Sequence, residues 1–206
     1  MTTQVFLMLD MTSSMQANKQ ATIDACNEFV EGLKADHHTK NFLFSLAVFN
    51  SNIGLERIVD GVQLDRAPKL DHEHYQPTGA TPLYDAMWQS MNLLENHQGQ
   101  VLFIVQTDGE ENSSRIATRQ QIVDRVVEKT ATGWQFVYLG CDIDAMQQGG
   151  ELGIAAGNTM SYDRKHTGKA FADMTDAVTR YASGGSMARG RFFKPGGRSR
   201  STSRSK

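Results

Sequence analysis

Asp10, Thr12 and Ser14 alternate in the stretch Asp10-Met11-Thr12-Ser13-Ser14-Met15. In an extended turn every second side chain points the same way, so a carboxylate and two hydroxyls face one side. Two distant segments carry groups of the same kind. Thr81, in Thr78-Gly79-Ala80-Thr81-Pro82-Leu83, offers a third hydroxyl; Asp108, in Gln106-Thr107-Asp108-Gly109-Glu110-Glu111, offers a second carboxylate. All five donors are hard oxygens, the ligand type of Mg2+ or Mn2+. Two carboxylates and three neutral hydroxyls leave such an ion electrophilic and short of a ligand. It should recruit a carboxylate from outside.

Each of these residues also has an ordinary use. Thr81-Pro82 is a helix start by the usual rules, a hydroxyl N-cap followed by Pro at N1. Ser13 or Ser14 would cap the first long helix, and Asp10 alone is a turn former. Glu110 and Glu111 are expected to form a solvated acidic rim, with Asp142 and Asp144 on the same face. His37-His38 and His72-Glu73-His74 invite a zinc site, but His72 and His74 have no Cys or third His nearby and are expected in a polar loop. Catalysis finds little support. A phosphoryl-transfer site built on an Asp after the first strand needs a second Asp two residues on, where Thr12 stands. There is no Gly-rich phosphate loop with Lys, and no Ser-His-Asp or Cys-His set. The chain is therefore expected not to be an enzyme.

The elements that must position the five oxygens are legible in the periodicity. Val5–Leu9, Phe42–Phe49, Val101–Val105 and Phe136–Leu139 are short apolar runs without alternation, the pattern of strands buried on both faces. Between them run segments of helical period: Ile23, Cys26, Val30 and Leu33; Leu83, Met87, Met91 and Leu94; Ile116, Val123 and Val127; and finally Phe171, Met174, Val178 and Tyr181. Alternating strands and helices predict an α/β fold, a doubly wound, mostly parallel sheet with helices on both faces. Ser45–Asn50 and Leu55–Leu64 are separated only by a turn, which predicts one antiparallel edge strand. A short strand is expected over Asn158–Tyr162, and residues 65–81 form a long polar loop of a length that is usually functional. In such a sheet the ligand site lies at the carboxyl ends of the strands, where Asp10 and Asp108 fall.

The chain has 206 residues with 21 Lys and Arg against 23 Asp and Glu, a net charge of −2. That balance hides a split. Residues 185–206 hold Arg189, Arg191, Lys194, Arg198, Arg200, Arg204 and Lys206 and no acid, which leaves residues 1–184 at net −9. The expected organisation is a folded domain over 1–184 and a basic, Gly/Ser/Arg-rich disordered tail over 185–206. The tail could bind nucleic acid or an acidic surface, so a nucleic-acid-associated protein is the alternative function. No apolar run approaches the length of a membrane span, and the start of the chain lacks the basic region of a secretory signal. Two cysteines, Cys26 and Cys141, make no disulfide framework, and a cytoplasmic location is expected.

The three loop segments, in this order and at these elements, resemble the von Willebrand factor A domains. That family's metal-ion-dependent adhesion site uses Asp-x-Ser-x-Ser after the first strand, a Thr before a helix and an Asp after the fourth strand. They match Asp10-Met11-Thr12-Ser13-Ser14, Thr81 and Asp108 here, with Thr12 where the family most often has Ser. The resemblance covers about residues 4–183. It implies that Thr12 and Ser14 touch a metal directly, that Asp10 and Asp108 act through water or close beside it, and that Thr81 joins or leaves with the ligation state. It also implies a non-catalytic module holding a partner protein's Glu or Asp, like compact stand-alone members in bacteria and their phages, in host cytoplasm or virion.

Overall fold

The computed structural model describes residues 2–184 and 191–193. Among the described residues one sheet of six strands forms: β1 (Thr3–Asp10), β2 (Leu43–Asn50), β3 (Gly54–Gln63), β4 (Gln100–Thr107), β5 (Gln135–Cys141) and β6 (Thr159–Tyr162). Their order is β3-β2-β1-β4-β5-β6, and every neighbouring pair is parallel except β2 and β3. The helices are α1 (Lys19–Ala35), α2 (Leu83–Leu93), α3 (Arg119–Ala131), α4 (Ala145–Glu151) and α5 (Thr167–Ala182).

The absence of alternation in β1 and β4 has a simple cause. Val5, Leu7 and Leu9 enter one core with Ile23, Cys26 and Val30 of α1 and Phe171, Met174 and Val178 of α5. Phe6 and Met8 point the other way, into a second core with Met87 and Met91 of α2 and Ile122 and Val126 of α3. Both faces are covered, so neither needs polar side chains. The edge strand β3 differs, with mostly exposed or half-buried residues. Its register against β2 shifts twice, and Gly61, at φ +59°, donates its N–H to Ser45 Oγ, 2.8 Å away. An irregular, twisted edge of this kind resists pairing with another chain.

The expected strands, the edge hairpin and the helical faces of α1 and α2 are present. Three expectations need correction. The face of α3 is out of phase: Ile122, Val126 and Lys129 are buried, whereas Ile116 lies before the helix and is 63% exposed, and Val127 is 58% exposed. The capping box of Thr118 and Gln121 starts the helix after Ile116. Thr81 is not the N-cap of α2; that position falls to Pro82, with no side-chain cap bond.

The third correction concerns the stretch read as a disordered tail. Arg191–Phe193 lie against the body. Phe192 is 2% exposed in the α1/α5 core, and its N–H is donated to Asn158 Oδ1 at 2.9 Å and Gly157 O at 3.0 Å. An aromatic side chain that finds an apolar seat overrides the local composition. The rest of the tail, 185–190 and 194–206, lies outside the described residues. Among the described residues no helix is long and apolar enough to cross a membrane.

Candidate metal centre

Strand order reverses between β1 and β4, so their carboxyl ends open a crevice at the switch point. β1 delivers Asp10 to that crevice, and the chain after it is gripped from both sides. Met11 N–H is donated to Phe49 O at 2.9 Å and Asn50 Nδ2 donates to Met11 O at 3.1 Å, both from β2. The long loop of residues 65–81 holds the other side. Tyr75, fully buried, donates its hydroxyl to Asp10 O. Thr78 N–H goes to Met11 O, and Ser13 N–H goes to Gly79 O, both at 3.0 Å. Gly79 sits at φ +74°, a conformation that favours glycine, and thereby turns its carbonyl toward Ser13. The loop is thus a buttress for the Asp10–Ser14 turn.

Within that turn Thr12 N–H is donated to Asp10 Oδ1 at 2.8 Å, an Asx-turn that fixes the carboxylate. Thr12 Oγ1 and Ser14 Oγ stand 3.1 Å apart, and Ser14 Oγ donates to Asp108 Oδ1 at 2.6 Å. Thr107 at the end of β4 donates its hydroxyl to Asp10 Oδ2. Thr81 comes from the loop before α2 and is locked to the segment after β4: its N–H goes to Asn112 Oδ1 at 2.8 Å, and Asn112 N–H returns to Thr81 O at 3.1 Å.

The position of Gly109 shows how these oxygens converge. A methyl group there would lie 3.2 Å from Thr81 Oγ1, 3.9 Å from Ser14 Oγ and 4.0 Å from Asp10 Oδ2. Three oxygens from two separate segments, the Asp10–Ser14 turn and the loop before α2, face one small cradle beside Gly109, which a side chain at 109 would enter. Asp10, Thr12 and Thr81 are buried and Asp108 nearly so, while Ser14 is exposed and opens the cradle to solvent. An all-oxygen cradle with two carboxylates fits a hard divalent cation in donor type and charge.

The electrostatics agree. Burial pushes the Asp10 carboxyl up to about 6, against the lowering effect of the hydrogen bonds from Thr107 and Thr12. Burial also raises Asp108, opposed by Ser14 and by the Arg164 guanidinium. Two carboxylates deprived of water favour a cation beside them.

Sequence reasoning misplaced some neighbours and missed others. Glu111 is half-buried and does more than rim the cleft: it accepts N–H bonds from Tyr84 at 2.9 Å, Ser113 at 2.8 Å and Ser114 at 2.6 Å, tying the start of α2 to the loop after β4. Asp85, not singled out by its sequence setting, accepts from the N–H groups of Arg115, Ile116 and Ala117, each at 2.8 Å. Glu110 and Glu111 line an acidic pocket of about 140 Å³ with Tyr84, Tyr138, Gln148 and Glu151. Asp144 caps α4 through Gln147 N–H. Asp142 holds Arg164, which reaches Asp108. Elsewhere, His74 pairs with Asp71 in the exposed loop. Asp36, His37 and His38 bring their ligand atoms within 4.8 Å of one another, but Asp36 Oδ1 already accepts the His38 N–H. Cys26 and Cys141 are free and buried.

Several solved structures share this fold. The vWF domain of the type V pilus tip protein Mfa5 from Porphyromonas gingivalis superposes with a TM-score of 0.69 at 11% identity, over 90% of this chain and 98% of that one. The fold is that of a von Willebrand factor A domain. The pilus adhesin SpaC from Lactobacillus rhamnosus GG also gives 0.69, at 12% identity over 86% of this chain and 30% of that one. Proximal thread matrix protein 1 of the mussel byssus, in a form with a zinc-occupied MIDAS motif, gives 0.56 at 12% identity, over 82% and 46%. The chain thus spans less than half of the mussel and Lactobacillus proteins. No family model matches the sequence, and no curated protein matches it.

Proposed function

We propose that the chain is a non-catalytic protein-interaction module that uses a divalent cation, Mg2+ or Mn2+, to hold a Glu or Asp of a partner protein. The observation that carries this is the cradle at Gly109, faced by Thr81 Oγ1, Ser14 Oγ and Asp10 Oδ2 with the desolvated Asp10 and Asp108 around it. In this proposal the hydroxyls of Thr12, Ser14 and Thr81 hold the ion, and Asp10 and Asp108 balance its charge. An ion bound there would supply a local positive centre for an incoming carboxylate. Without one, the net −9 of residues 1–184 repels an anion. Neutral hydroxyl donors leave most of the ion's charge available, so the local field reverses sign.

Two neighbours support the proposal without deciding it: a mussel protein with a zinc-occupied MIDAS motif and a pilus adhesin. Free, buried Cys26 and Cys141 fit a reducing compartment, and we place the module in the cytoplasm. The test is capture of partners from native lysate on immobilised chain in Mg2+ or in EDTA, with Asp108→Ala as the control. The expected result is a partner retained in Mg2+, released by EDTA and not captured by the variant. The same partners held equally in all three conditions would place recognition elsewhere.

A further inference from the structure

Arg164 stands at the rim of the cradle, and its setting is built. It follows β6, and its anchor is Asp142, just after β5, which adopts φ +57°, a left-handed conformation uncommon outside glycine. Asp142 donates its N–H to Tyr162 O at 2.8 Å and accepts the Arg164 N–H on Oδ1 at 3.0 Å. Its other oxygen lies 3.3 Å from Arg164 Nε. So anchored, the guanidinium extends Nη2 to within 3.4 Å of Asp108 Oδ2, an atom group with no solvent exposure. Asp108 therefore has both oxygens engaged, one by the Ser14 hydroxyl and one by a fixed positive charge.

We propose that Arg164 is a positioning residue of the metal centre, a built-in counter-cation that competes with the divalent ion for Asp108. This rests on the metal centre proposed above. A guanidinium already neutralises part of the charge that draws a cation, and it ties up one of the two Asp108 oxygens. Metal loading must then loosen the Arg164–Asp108 pair, which makes the centre's affinity weaker than its donor set alone would give. A guanidinium released from Asp108 is left beside the ion at the rim, with its donors free for the same incoming carboxylate. Asp142 shares the guanidinium with Asp108 and keeps it from adding its whole charge to the centre.

The test is titration of Mn2+ into metal-free protein, followed by calorimetry, for wild type, Arg164→Gln and Asp142→Asn. One opposite charge at this distance shifts an ionisation equilibrium by about tenfold or more, and a half-exposed arginine belongs at the low end. Arg164→Gln is expected to bind Mn2+ about tenfold tighter, and Arg164→Lys to restore wild-type affinity in part. Asp142→Asn keeps a residue type that tolerates the left-handed backbone. It is expected to weaken Mn2+ binding, the opposite sign, because the guanidinium loses its second partner. A merely structural ion pair would lower affinity in both variants or change neither, and either outcome overturns the proposal. Asp108→Ala in the same series separates the two levels. Loss of Mn2+ binding there, with no gain in Arg164→Gln, leaves the centre standing and removes the role of Arg164. Unchanged binding in Asp108→Ala removes both.

Discussion

Asp10→Asn should make the metal-free protein more stable at neutral pH while removing its metal. The Asp10 carboxyl is fully buried, and burial raises it from 3.8 to about 6. At about 1.4 kcal/mol per pH unit, that shift is worth about 3 kcal/mol. The sign follows from linkage. Protonated Asp10 stabilises the fold below the unfolded value of 3.8, and that stability is lost as pH rises through about 6. Asn has no proton to lose. Its amide keeps an oxygen for Thr12 N–H but presents a donor where Thr107 now donates to Oδ2, a mismatch worth about 1 kcal/mol. The net expectation in EDTA is a gain of about 2 kcal/mol at about pH 7.5 and none at about pH 4.5. Urea unfolding at the two pH values reads both numbers, and Mg2+ should stabilise wild type but not the variant. A variant less stable than wild type in EDTA at neutral pH, or a difference independent of pH, would refute the claim that Asp10 is a charge held at a cost for a cation.

Gly109→Ala should lower Mn2+ affinity at least about tenfold with a stability change within about 1 kcal/mol, because the added methyl enters the cradle 3.2 Å from Thr81 Oγ1 without demanding a left-handed backbone; wild-type affinity by calorimetry would count against the cradle. Ending the chain after residue 184 should cost about 1.5–3 kcal/mol in denaturant unfolding, the worth of one buried Phe, whereas ending it after residue 193 should cost nothing measurable, since Phe192 stays seated; equal stability of the two truncations would show that the anchor contributes nothing. Asp85→Asn leaves an amide donor facing three backbone N–H groups and should destabilise by about 2 kcal/mol or more, with the loop after β4 loosened and Mn2+ affinity reduced; unfolding and calorimetry together check it.

What the sequence made legible is what local pattern controls. Strands buried on both faces announce themselves as unbroken apolar runs, as in Val5–Leu9 and Val101–Val105. Strand ends then locate the site, because a doubly wound sheet puts its crevice there. Pattern failed where it was degenerate. Ile122-Val123 and Val126-Val127 offer α3 two apolar faces of equal merit, and only packing chooses Ile122 and Val126. It failed again where contacts are long in sequence. Glu111 with Tyr84, Asp85 with Arg115 and Arg164 with Asp108 span 27, 30 and 56 residues, and nothing in their own neighbourhoods marks them. Phe192 was hidden by company: among Gly, Ser and Arg an aromatic pair reads as part of a polar tail, although Asn158 and Gly157 provide it a seat.

The most direct test of the central claim is a crystal of the protein soaked in Mn2+, with the ion located by its anomalous scattering. The account predicts one strong peak per chain in the cradle at Gly109, at bonding distance from the Thr12 and Ser14 hydroxyls and beside Asp108. No peak there at saturating Mn2+, or a peak only elsewhere, as at Asp36, His37 and His38, would contradict it.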